Sequence, residues 1–186
     1  MLILPIRLSQ GSTSRSPPKE PPPSHPPKVQ HTRSGVVPRA TVRYEIAGLA
    51  FVTDGDGLRI KNTEIRLFGI DAPEFGHPLG KKAKWALHRL CKGQKIRAEV
   101  TGKDSHGRTV AKCFLPDGRD LSSEMVKLGL ALDWPKYSGG VYAQFETPDA
   151  RKKLWLADAR QKGRMHIWDK YEARRKARAT GYKAVE

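Results

Sequence analysis

The sequence predicts one α+β domain, a small five-stranded β-barrel with about three helices, behind a disordered proline-rich tail. Three observations lead there. Between residues 40 and 70, short alternating apolar and polar segments are separated by Asp54-Gly55-Asp56-Gly57 and Asn62-Thr63, which read as turns between strands. Next comes a stretch of helical periodicity, and then two further alternating segments. Finally, 186 residues leave room for one domain of about 130 residues plus tails, enough to bury its own core.

The tail spans residues 1–40. Its prolines, among them Pro17-Pro18, Pro21-Pro22-Pro23 and Pro26-Pro27, sit among Ser, Thr, Lys and Arg with almost nothing apolar to bury. Such a segment stays extended and solvated and reads as a spacer, with a ligand for proline-recognising domains as the functional alternative. Strands are expected over residues 42–53, 57–61 and 64–70 as a meander. A helix follows, because Ala83, Ala86, Leu87 and Leu90 share a face, basic residues take the other, and Gly93 ends it.

Two more strands are expected at 96–101 and 109–115, joined by a hairpin loop at 103–108. A second helix at 121–128 puts Leu121, Met125 and Leu128 on one side and stops at Gly129. After an irregular stretch rich in Tyr, Trp and Gly, a third helix runs over 148–163. The domain is thus 41–168, and the charged residues 169–186 read as a frayed basic tail. Five strands with a helix between the third and fourth is the order of an OB-like barrel.

A formal net charge of +16 attracts polyanions and directs the search for partners to nucleic acid or an anionic surface. No apolar run reaches the roughly 18 residues of a membrane span, so no membrane partner is expected. Two cysteines, Cys91 and Cys113, exclude a disulfide-dense scaffold and a Cys-rich zinc site, and leave a single bridge open. The opening Met-Leu-Ile-Leu-Pro-Ile-Arg-Leu lacks the basic start and length of a secretory signal, and a misassigned start codon could hide one, so export stays open.

The chemistry concentrates in the loops. Asp54 and Asp56 lie in the first turn, and the exit of the third strand, Ile70-Asp71-Ala72-Pro73-Glu74, adds two acids. Carboxylates packed together raise one another's pKa, and a bound cation relieves the repulsion. Oxygen-only donors suit calcium or magnesium, not zinc. Arg66, on the strand that ends at Asp71, and Arg108, closing the hairpin loop, can both reach the acid-rich end. Guanidinium groups fit phosphate oxygens bidentately and neutralise the charge that develops on phosphorus. A metal, two arginines and a spare carboxylate make a phosphodiesterase.

The chain from 41 to 168 resembles the staphylococcal nuclease (thermonuclease) family. The resemblance rests on Val52-Thr53-Asp54-Gly55-Asp56, on Ile65-Arg66-Leu67-Phe68-Gly69-Ile70-Asp71-Ala72-Pro73-Glu74, and on Asp104-Ser105-His106-Gly107-Arg108. It implies that Asp56, Asp71 and the Ala72 carbonyl hold Ca2+ with Asp54 in support. It further implies that Arg66 and Arg108 clamp the scissile phosphate, and that Glu74 orients or deprotonates the attacking water. Similar proteins cut DNA and RNA and leave 3′-phosphate ends. Every charged catalytic position is filled, unlike the binding-only copies of this domain in Tudor-containing scaffold proteins.

Two positions depart from the family pattern. Gly57 stands where a Thr usually follows the second Asp, and Ser105-His106 replaces a basic and aromatic pair. His106 therefore offers the substrate a weaker stack and a titratable nitrogen. One of Trp134, Tyr137 and Tyr142 is a candidate for base stacking, with ordinary core or loop packing as the alternative for each, while Trp85, Trp155 and Trp168 read as structural. Lys81, Lys82, Lys84, Lys152 and Lys153 supply general attraction to phosphate, with affinity that falls as salt rises. Few protein carboxylates imply weak calcium binding, with a Kd of roughly 10⁻⁴ to 10⁻³ M. A monomer is expected, and the calcium need together with the resemblance suggests an extracytoplasmic or secreted protein. The competing reading is a non-catalytic OB-type nucleic-acid binding module, for which four carboxylates beside the binding face would only repel the ligand.

Overall fold

The period-two alternation read from the sequence is what closes the barrel. In the computed structural model, which describes residues 44–181, β1 (Glu45–Val52), β2 (Gly57–Ile60) and β3 (Thr63–Leu67) form the antiparallel meander. Beyond β4 (Ile70–Asp71) and α1 (Gly80–Cys91) come β5 (Lys95–Lys103) and β6 (Thr109–Phe114). These two pair with each other; β6 joins β3 in parallel and β5 joins β1 antiparallel, so the order β1-β2-β3-β6-β5 is a closed barrel. Closure leaves no open edge to attract foreign strands.

Alternate residues of each strand fill the interior: Leu58 and Ile60, Ile65 and Leu67, Ile96 and Ala98, Ala111 and Cys113, all at most 2% exposed. The apolar stripe of α1, Ala83, Ala86 and Leu87, lies against the same core. So does α2 (Leu121–Lys127) through Leu121, Met125 and Val126. Asp120 caps α2, its side chain accepting from Ser122 N at 2.8 Å. Leu67→Ala should cost about 2–5 kcal/mol, because its neighbours are backbone-anchored strand residues that cannot collapse into the void; chemical denaturation at equilibrium measures it.

Several element bounds differ from the sequence reading, for local reasons. The third strand was expected to run to residue 70, but Gly69 takes φ +72 and ends it, since a Cβ there would lie 2.7 Å from Ser138 Cβ. The chain restarts as β4, which pairs with β7 (Leu132–Asp133) in a separate two-stranded ribbon. The irregular stretch holds this β7, α3 (Pro135–Ser138) and a 3-10 turn at Ala143–Phe145. The third helix is two, α4 (Ala150–Lys153) and α5 (Trp155–Gln161), interrupted where Leu154 leaves the helical region and buries itself with Leu132, Ala150 and Ala157. Leu128, placed with Leu121 and Met125 by spacing, instead caps α2 and is half exposed.

Residues 169–179 are not frayed: α6 (Met165–Ala179) continues through them. No residue of α6 is fully buried, so periodicity gave no signal. The helix is anchored from one side instead. Trp168 and Tyr171 meet the buried ring of His77 edge-on at 4.6 and 5.4 Å, and Glu172 is hydrogen-bonded to His77 Nε2. Cys91 and Cys113 are free, buried thiols, each pushed up in pKa by burial. No helix among the described residues is long and apolar enough to cross a membrane. The proline-rich segment lies outside the described residues.

Candidate active site

Three loops, two strands and a helix deliver the charged side chains to one end of the barrel. The β1–β2 turn is tied by Thr53 N and Asp54 N, which both donate to the Gly57 carbonyl at 3.0 and 3.2 Å. Asp56 is thereby turned inward, 7% exposed, with Oδ2 accepting from Ala72 N at 3.3 Å. Arg66 on β3 reaches the same oxygen at 2.9 Å and Asp71 Oδ1 at 3.7 Å. Asp71, carried by the short β4, is completely buried. Asp56, Asp71 and the Ala72 backbone therefore meet in one pocket with Arg66 along its side.

Glu74 follows on a tight turn in which His77 N donates to the Glu74 carbonyl at 2.8 Å. Gly80 lies so close to that carbonyl that any side chain there would run into it, so the start of α1 fixes the Glu74 backbone. The carboxyl groups of Asp54 and Glu74 lie close enough to shift each other's titration. Burial, reinforced by Glu74, pushes Asp54 up to about 6, against the donation from Gly55 N. Burial acts on Glu74 in the same sense, but the hydrogen bond and charge of Arg160 outweigh it and hold Glu74 below the usual carboxylate range. Of the pair, Asp54 is therefore the weaker acid and Glu74 the stronger.

The buried acids are shifted upward for the same reason. Burial raises Asp56 despite Arg66, and it pushes Asp71 up to about 6 despite Arg160. Arg160, on α5, is the functional-site residue that sequence reasoning missed. Its Nε donates to Asp71 Oδ2 at 3.2 Å, its Nη2 to Asp71 Oδ1 and to the Ala72 carbonyl at 3.4 Å, and its Nη1 to Glu74 at 2.9 Å. The rings of Trp168 and Trp134 flank it, with centroids 5.0 and 6.0 Å from the guanidinium carbon. Arg160 is separated from Asp71 by almost ninety positions in a chain rich in basic residues, and no motif marks it.

Arg108 stands at the other wall, on the β5–β6 hairpin. Asp104 organises that loop, accepting from His106 N and Arg108 N at 2.9 Å each and from Arg108 Nε at 2.7 Å. The result is a cleft of about 930 Å³ lined by Asp54, Asp56, Arg66, Glu74, His106 and Arg108. Trp134 and Tyr137 line it too, because Trp134 N donates to Gly69 O at 2.9 Å and fastens them beside β4.

Other expected residues fall elsewhere. Lys81 and Lys82 are exposed on α1 and are not part of the cleft lining. Tyr142 is not a stacking residue: it is 4% exposed in the core, and its hydroxyl donates to Asp120 at 2.7 Å. Trp85 is not structural in the expected sense, being 54% exposed beside His88. Among the described residues no three His, Cys, Asp or Glu side chains gather closely enough to form a metal site by themselves.

Fold and site together define a class: a closed five-stranded barrel that opposes carboxylates to guanidinium groups across a cleft. Comparison with known proteins gives the family within it. A family model described as staphylococcal nuclease homologue matches residues 64–170, and the chain belongs to that family. It is 36% identical over 111 residues to the probable staphylococcal-like nuclease CAN1 of Oryza sativa subsp. japonica, covering 58% of this chain and 33% of that one. It is 33% identical over 109 residues to the succinoglycan biosynthesis protein ExoI of Rhizobium meliloti, covering 53% and 57%. With the probable endonuclease LCL3 of Phaeosphaeria nodorum it shares 30% over 149 residues, 74% of this chain and 49% of the other. The matches thus span less than two thirds of the length of these curated relatives.

Proposed function

We propose that this chain is a calcium-dependent nuclease that hydrolyses phosphodiester bonds in DNA and RNA and leaves 3′-phosphate ends. The observation that carries this reading is one open cleft lined by Asp54, Asp56, Arg66, Glu74 and Arg108, with Asp71 buried beside Arg66 at its base. The oxygens of Asp56, Asp71 and Ala72 suit a hard cation by type, being carboxylates and a backbone carbonyl, and Asp71, fully buried between Arg66 and Arg160, needs positive charge beside it to stay ionised. Asp56, Asp71 and Ala72 would hold calcium, with Asp54 in support. Bound there, calcium would polarise a phosphoryl oxygen and neutralise charge developing on it.

The chain's own groups account for the rest. Arg66 and Arg108 grip the non-bridging oxygens from opposite walls and stabilise the extra negative charge of the pentacovalent state. Glu74, kept anionic by Arg160, orients a water and accepts its proton as the water oxygen bonds to phosphorus. The bond from phosphorus to the 5′ oxygen breaks, and that oxygen leaves as a hydroxyl after taking up a proton. His106, Trp134 and Tyr137 offer faces on which bases of a single strand can stack, which favours sequence-tolerant binding. The protein acts as a monomer in this scheme.

The test is direct. Pure protein incubated with plasmid and with RNA should digest both when calcium is present and neither when a chelator is added, with 3′-phosphate on the product ends. Salt-sensitive binding without cleavage under any calcium concentration would instead establish the non-catalytic binding module.

A further inference from the structure

Arg160 lines the cleft, yet the proposed reaction gives it contact with neither substrate nor metal and uses it only to hold Glu74 anionic. Its guanidinium spans both carboxylate oxygens of Asp71, the Ala72 carbonyl and Glu74. Two of those partners, Asp71 and Ala72, are members of the oxygen set assigned to calcium. We propose that Arg160 is a resident counter-cation of the metal pocket, and that it and a divalent cation compete for the same oxygens. The inference rests on the reading of Asp56, Asp71 and Ala72 as the calcium donors.

The physical argument starts from Asp71. A carboxylate with no exposed surface must be paired in every populated state, or give up its charge. Arg160 supplies that pairing in the metal-free chain. A cation coordinated by Asp71 and the Ala72 carbonyl would face the guanidinium at contact distance, with like charges inside a dry pocket, so the two occupancies exclude each other. Arg160 also has a way out. Its side chain is 21% exposed and lies between the rings of Trp168 and Trp134, the second of which lines the open cleft. The guanidinium can move outward along an aromatic face and keep a cation–π contact as it goes.

Competition has a quantitative consequence. The apparent calcium affinity is the intrinsic affinity reduced by the fraction of molecules in which Arg160 has vacated the oxygens. Arg160 therefore sets the calcium concentration at which the site fills, and does so through a residue that binds no metal.

The experiment is calorimetric titration of the full chain with calcium chloride, without nucleic acid, at a pH of about 8 so that the acids are ionised. Wild type is compared with Arg160→Gln and Arg160→Lys. Arg160→Gln is expected to bind calcium at least about tenfold more tightly than wild type, the fold-change of a competitor that is nine-tenths bound, with Arg160→Lys between them. Tryptophan emission of the wild type should change on calcium addition as the guanidinium leaves Trp168, and this change should be absent in Arg160→Gln. Should Arg160→Gln fail to fold without metal, Arg160→Lys keeps a cation near Asp71 and carries the comparison. Calcium binding by the wild type with equal or weaker binding by the variants would overturn the competition and leave the metal site standing. No calcium binding by any of the three proteins would overturn the metal reading and the competition with it.

Discussion

Arg108→Ala is expected to slow cleavage of DNA and RNA by about 10²–10³ at saturating substrate while leaving the fold untouched. The rate loss follows from removing one preorganised donor to the transition-state charge in a cleft that contains only two such arginines placed for the phosphate. The neutrality for stability follows from position. Arg108 sits on a hairpin tip, its side chain 42% exposed, with Asp104 as its ion-pair partner. A pair of that kind contributes at most about 1 kcal/mol. Single-turnover kinetics and urea unfolding, run on the same preparation, separate the two effects. Cleavage at the wild-type rate would remove Arg108 from the reaction.

Arg66→Ala should be damaging in both respects. Arg66 holds Asp56 at 2.9 Å in a pocket where that acid is 7% exposed, and it is the second cation near Asp71. Deleting it strands a buried carboxylate, a change that costs about 3–5 kcal/mol, in addition to a rate loss at least as large as that at Arg108. Arg66→Lys discriminates between these losses. A lysine restores a positive charge beside Asp56 and should recover much of the stability. It cannot present the planar fork, and the rate should stay low. A fully active Arg66→Lys variant would mean that position 66 acts only on the acids and never on the phosphate.

The barrel and most of the cleft were legible in the sequence because they are written in local patterns. Alternation placed Leu58, Ile60, Ile65 and Leu67 inside, and the turn glycines placed Asp54 and Asp56 on a loop. Arg66, Asp71 and Glu74 came from one continuous decapeptide, whose strand-and-turn geometry brings them near the first loop. What escaped depends on contacts that no local pattern encodes. Arg160 belongs to the stretch 148–163, whose apolar face was readable, but which of its five basic residues turns inward is decided by the depth of Asp71 and the two flanking indoles. The last helix escaped because aromatic edges and a single His77–Glu172 contact hold it in place, where an apolar stripe would have been visible. Tyr142 was misplaced because a tyrosine in an irregular loop looks the same whether its hydroxyl meets water or Asp120.

The cleft draws its final pieces from the far end of the chain. Arg160 balances Asp71 and Glu74, and Glu172 fastens the loop that begins at Glu74. On a ribosome the barrel strands emerge long before either of these residues does. A partly synthesised chain that lacks residues 160–172 therefore carries Asp71 and Glu74 without the guanidinium that balances them, and a loop without its Glu172 tether.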